Sequence, residues 1–118
     1  MERLKHRPDF LACARGFRRV MPGLSLEAAG TPGKYATADM VRVGFTATKK
    51  LGGAVERNRA KRRLRAAAAA LLPLYGLPGS DYVLVARAGT LTRPFAELLE
   101  DLAVSLKAAG AKLARKEP

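Results

Sequence analysis

Eight bases fall between positions 49 and 65: Lys49, Lys50, Arg57, Arg59, Lys61, Arg62, Arg63 and Arg65, against the single acid Glu56. Their chemistry is anion binding. Arginine outnumbers lysine, and its planar fork can grip a phosphate through two hydrogen bonds. Acids that would normally interleave at i, i+4 are missing. Lys61 and Arg65 instead form a like-charge pair at that spacing, as do Arg59 and Arg63, a repulsion that a polyanion relieves. Gly52 and Gly53 stand just before the run. There the backbone can approach a phosphate closely, and the helix start that follows favours negative charge.

Other reactive residues are sparse. Cys13 is the only cysteine and His6 the only histidine. That excludes a disulfide framework, a cysteine zinc site and a two-histidine metal site. Cys13 reads as a small packing residue, and His6 as an exposed group beside phosphate. Asp9, Glu27, Asp39, Glu56 and Asp81 are scattered over different elements, whereas metal-dependent phosphodiester cleavage wants clustered carboxylates. A nuclease acting through this chain alone is therefore disfavoured. No Walker-type phosphate loop is present.

The elements that must carry these groups follow from periodicity. Residues 55–72 are rich in Ala, Leu and Arg, good helix formers. Their apolar stripe is Ala60, Leu64, Ala67, Ala68 and Leu71, which turns Asn58, Lys61, Arg62 and Arg65 to the opposite side. Pro73 is expected to end that helix. Val41, Val43, Phe45 and Ala47 alternate with Arg42, Gly44, Thr46 and Thr48, predicting a strand with one small, polar face. Residues 23–28 read as a short strand, and 34–37 as a further one if they pair. Asp81 to Arg87 is apolar on both faces, as in a central strand. Asp9 is expected to cap a short helix beginning near Phe10. Phe10, Cys13, Ala14 and Phe17 would share one face of it. A last helix starts at Pro94, capped by Thr92, with Phe95, Leu98, Leu99, Leu102 and Leu106 at helical spacing and Gly110 at its end. Residues 111–118 read as a frayed tail.

The sum is a single α+β domain over residues 1–118: a small α/β sandwich, mostly antiparallel, with about four strands and three helices. The chain has 118 residues and a formal net charge of +12. Of this, +7 lies between 49 and 65 and +4 in residues 1–22, from Arg3, Lys5, Arg7, Arg15, Arg18 and Arg19 against Glu2 and Asp9. Charge raised for solubility alone would be spread out. Two concentrated blocks point to nucleic acid. No apolar run approaches the ~20 residues of a membrane span, and the N-terminus lacks a signal-peptide apolar stretch. A cytoplasmic location is expected. Charge alone also allows a ribosomal or other structural RNA-binding protein, or a DNA-binding one.

The segment from Arg42 to Arg65 narrows this. It resembles the signature of the bacterial ribonuclease P protein subunit at Arg42, Val43, Gly44, Lys49, Lys50, Gly52, Ala54, Val55, Arg57, Asn58, Arg59, Lys61, Arg62 and Arg65. Leu4, Lys5, Arg7, Asp9 and Phe10 resemble the family's opening, and Asp81 to Arg87 its late strand. The resemblance implies the protein partner of a catalytic RNA, needing no further protein. Together they would remove the 5′ leader of precursor tRNA, with Mg2+ held mainly by the RNA. It implies a left-handed crossover around the basic helix. It places Arg57, Asn58, Arg59, Lys61, Arg62 and Arg65 against the RNA subunit. The leader would lie in a cleft of Phe10, Thr46, Lys50, Arg57, Asn58, Lys61 and Arg65, with Lys5, Arg7 and Lys49 as further phosphate contacts. Phe10 would stack on a base without reading sequence. The chain departs from the family at Ala14 and Glu27, where aromatics are frequent. Phe17 would fill part of the gap at Ala14.

Overall fold

The computed structural model describes residues 1–33 and 40–114. The strand expected at 34–37 lies outside them. The order is β1 (Glu2–Arg3), α1 (Arg7–Arg15), β2 (Phe17–Val20), β3 (Leu24–Gly30), β4 (Val41–Thr46), a 3-10 turn (Lys49–Leu51), α2 (Ala54–Tyr75), β5 (Ser80–Ala86), α3 (Ala88–Thr92) and α4 (Phe95–Ala114). The α+β class holds. The sheet has five strands in the order β1-β4-β5-β3-β2. It is mixed rather than mostly antiparallel: β1–β4 and β4–β5 are parallel, β2–β3 and β3–β5 antiparallel.

Side chains alternate across the sheet, and the two faces have different cores. Leu24, Leu26, Ala28, Val43, Tyr82 and Leu84 pack with Leu64, Ala67, Ala68 and Leu72 of α2 and with Leu98, Leu102 and Leu106 of α4. Each such buried leucine contributes about 1.5–3 kcal/mol. Leu4, Cys13 and Val83 form a smaller cluster under α1, with Phe10, Ala29 and Val85 beside it. The sheet is thus covered by two long helices on one side and by one short helix on the other.

Several local expectations change. Pro8, with its preset φ, occupies the first turn of α1, so the helix starts at Arg7 and Asp9 sits inside it rather than capping it. Phe17 does not continue α1. It opens β2 opposite Ala28 and joins the larger core, on the face away from Phe10. The chain turns at Gly16, where a Cβ would come within 2.3 Å of the Ala28 carbonyl oxygen. Pro73 lies inside α2, which runs on to Tyr75. So close to the helix end, the ring removes one N–H donor and leaves the last turn intact. Thr92 closes α3 instead of capping α4, and Gly110 lies within α4, which extends through Ala114.

Candidate nucleic-acid interface

Helix α2 buries a stripe of Ala60, Leu64, Ala67, Ala68 and Leu72. Alanine at these positions lets the helix lie close to the sheet. At 100° per residue the opposite side must then carry the bases. Asn58, Arg59, Arg62 and Arg65 are exposed, while Arg57 and Lys61 are half-buried on a flank of the stripe. Among the described residues none of Arg57, Arg59, Lys61, Arg62 and Arg65 forms an ion pair. Arg63 differs from its neighbours. It donates to the carbonyl oxygens of Thr90 and Arg93, at 2.7 and 2.5 Å, and so closes the C-terminal end of α3. The helix follows Gly53 with no side-chain cap. Gly52 before it has φ 144°, a backbone setting that favours glycine.

The α1 face is laid out by strand register. Gly44, Val83 and Glu27 form one row across β4, β5 and β3; Thr46, Val85 and Ser25 form the next. The half-buried Phe10 ring lies over Gly44, where a Cβ would meet the ring at 2.5 Å. Glycine is what lets an aromatic rest on this strand. On the row to the other side, Arg42 makes a bidentate pair with Asp81, Nε to Oδ1 at 2.8 Å and a terminal nitrogen to Oδ2 at 2.6 Å. Asp9 of α1 lies 3.5 Å from the same guanidinium, and Thr31 donates to Asp81 at 2.7 Å. These contacts hold the Arg42 guanidinium ionised, raising its pKa further, mainly through the hydrogen bond to Asp81. Two carboxylates that looked scattered in sequence thus meet around one arginine, and they anchor α1 to the sheet.

Cys13 is buried, with its thiol aimed at the Asp81 carbonyl oxygen at 3.6 Å. Burial first, then the charges of Asp81 and Glu27, push its pKa up to about 12. It is a packing residue, neither nucleophile nor ligand. Among the described residues no group of three or more His, Cys, Asp or Glu could hold a metal ion. Among the described residues no helix is long and apolar enough to cross a membrane.

Compared with known families, residues 1–110 match the one described as Ribonuclease P. The chain belongs to the ribonuclease P protein family. It is 53% identical over 116 residues to the ribonuclease P protein component of Caulobacter vibrioides, covering 97% of this chain and 74% of that one. The component from Paramagnetospirillum magneticum is 49% identical over 112 residues, covering 94% and 84%. Among solved structures, the RNase P protein from Thermotoga maritima superposes with a TM-score of 0.73 at 26% identity, covering 92% of this chain and 97% of that one. As a ribonuclease P protein component the chain is a subunit of a ribonucleoprotein endonuclease, and its RNA-binding role follows. The ribosomal-protein alternative falls away.

For a ribonuclease P protein, the residues assigned to the leader cleft are divided by the sheet. Phe10 and Thr46 share the α1 face, half-buried. Arg57, Asn58, Lys61 and Arg65 belong to α2, on the other side. The chain links the two groups at one end of the sheet, where it leaves β4 at Thr46, passes Lys49 and Lys50, and starts α2 at Ala54. Lys5, Arg7, Lys49 and Lys50 are all exposed. At that end a cavity of about 170 Å³ is lined by Thr48, Lys50, Leu51, Ala86, Arg87 and Ala88. Arg87 was legible in sequence only as the last residue of a strand. Its place beside Lys50 comes from the parallel pairing of β4 with β5.

Proposed function

We propose that this chain bridges two RNAs across its own sheet. The basic side of α2, with Asn58, Arg59, Arg62 and Arg65 exposed and Arg57 and Lys61 on its flank, seats the ribonuclease P RNA. The α1 face receives the single-stranded 5′ leader of precursor tRNA, with Phe10 stacking on a base, Thr46 leaving room for the backbone, and Lys50 and Arg87 meeting phosphates at the sheet end. Lys5, Arg7 and Lys49 add phosphate contacts. The observation that carries this reading is the set of α2 cations that form no ion pair among the described residues, on the side of the sheet opposite the Phe10–Gly44 platform. Arg57, Asn58, Lys61 and Arg65 reach the leader only around the end of β4.

The chain then contributes position and charge, not bond-making groups. Its cations offset repulsion between two polyanions, while Asp9 and Asp81 are committed to Arg42. Mg2+ is assigned to the RNA, and the location to the cytoplasm. The deciding experiment is reconstitution with a bacterial ribonuclease P RNA at low magnesium, assayed for release of the 5′ leader. The protein alone should not cleave, and with the RNA it should lower the magnesium requirement. Leader affinity should fall with salt at a log–log slope near −0.7 per single-strand phosphate contacted. A flat salt dependence, or no effect on the magnesium requirement, would refute the reading.

A further inference from the structure

The α1 face holds one group that phosphate binding does not want. Glu27 lies on β3 between Ser25 and Ala29, in the same row as Val83 and Gly44, and so in the row of the Phe10 platform. Two strand spacings, roughly 10 Å, separate the β3 and β4 backbones. The Glu27 side chain is half-buried. Arg18 stands opposite it on β2, yet among the described residues no hydrogen bond or ion pair ties the carboxylate down. Burial raises its pKa, with Arg18 opposing, so the ionised group is held at a cost. On α1, Ala14 is exposed and carries only a methyl group.

A carboxylate here weakens the hold on phosphates. What it offers is two acceptor oxygens, and the donors on an unpaired RNA strand are chiefly base edges. Guanine presents adjacent N1–H and N2–H donors that match a carboxylate bidentately. Cytosine and adenine offer an exocyclic amino group. Uracil offers one N–H flanked by two carbonyl oxygens that a carboxylate repels.

We propose that Glu27 is a specificity-determining residue that reads a leader base, accepting hydrogen bonds from its Watson–Crick edge and favouring guanine over uracil. This rests on the reading that the leader crosses the α1 face. Phe10 would supply sequence-tolerant stacking, and Glu27 would add a preference at one nucleotide.

The test uses the reconstituted holoenzyme and precursor tRNAs with an all-uracil leader, or with one guanine moved through it position by position. A leaderless tRNA is the reference. A good bidentate pair discriminates by 1–3 kcal/mol, so at one position guanine should bind about 5-fold tighter or better. Glu27→Gln keeps the size but offers one acceptor and should lose most of that preference. Glu27→Ala should lose all of it, and both should bind the all-uracil leader at least as well as wild type. Thermal melting of both variants checks that they fold. An unchanged guanine preference in Glu27→Ala overturns the proposal. So does the absence of preference at every position in wild type while the leader still strengthens binding over the leaderless tRNA; the α1-face reading then survives. If the leader adds nothing in wild type, both fall.

Discussion

Replacing Asp81 with alanine tests how the α1 face is held together. The Arg42 and Asp81 side chains are 8% and 2% exposed, and Asp9 is 6% exposed. Asp81→Ala removes both short hydrogen bonds to Arg42, at 2.8 and 2.6 Å, and the one from Thr31. It leaves a buried guanidinium that keeps Asp9 at 3.5 Å. Removing one partner of a buried pair costs about 3–5 kcal/mol, because the other charge stays desolvated. That is a large share of the 5–15 kcal/mol typical of a whole domain. It corresponds to a fall of roughly 10–20 °C in Tm for a chain of this size. Asp81→Asn keeps one acceptor and should lose about half as much. Adding both Arg42→Met and Asp9→Asn to Asp81→Ala should restore part of the stability, since the charges of the cluster are then removed together. Urea unfolding of the wild type, the two Asp81 variants and the triple variant measures these losses. A loss under about 1 kcal/mol for Asp81→Ala, the value of a solvated surface pair, would refute the claim that this cluster is buried and anchors α1. So would a triple variant less stable than Asp81→Ala alone.

Three further outcomes follow from the same contacts. Gly44→Ala places a Cβ 2.5 and 2.6 Å from two Phe10 ring carbons; it should cost about 1–3 kcal/mol and cut leader affinity as far as Phe10→Ala does, with non-additive effects in the double variant, and additivity would mean that the ring does not rest on Gly44. With its pKa near 12 the buried Cys13 thiol stays neutral at pH 8, so a thiol reagent should label the protein only after unfolding in urea; fast labelling of the native state would contradict the assignment. Arg63→Ala should lose about 1.5–3 kcal/mol of stability, the range for hydrogen bonds from a charged donor, with less loss of RNA-subunit affinity than Arg62→Ala; the reverse ranking would make Arg63 an RNA contact.

Much of the local structure was legible in the residues. The alternation from Val41 to Thr46, the doubly apolar run at 81–86 and the alanine–leucine stripe of α2 each appear at their expected places, because period and propensity act over a few residues. The failures have equally local causes. β1 is two residues long, too short to show a period. β2 reads Phe-Arg-Arg-Val, an edge strand whose charges hide its pairing. Asp9 has the chemistry of a cap, but Pro8 is better placed to start the helix and a buried arginine claims the carboxylate. Phe17 sits seven residues from Phe10, which would align them on an unbroken helix. The turn at Gly16 sends it to the other side of the sheet.

The candidate site divides along the same line. Charge and its clustering belong to the chain itself, so the cationic face of α2 and the second basic block in residues 1–22 could be read before any fold was known. Period two tells which residues of a strand share a face, but not which face, nor what lies across from it. Those depend on strand order and register between segments far apart in the chain. Tertiary structure therefore decided that Asp9 and Asp81 serve Arg42 and that Arg63 closes α3. It also decided that Arg87 joins Lys50, and that the α2 cations and the Phe10 platform lie on opposite sides of one sheet with Glu27 in the platform's row.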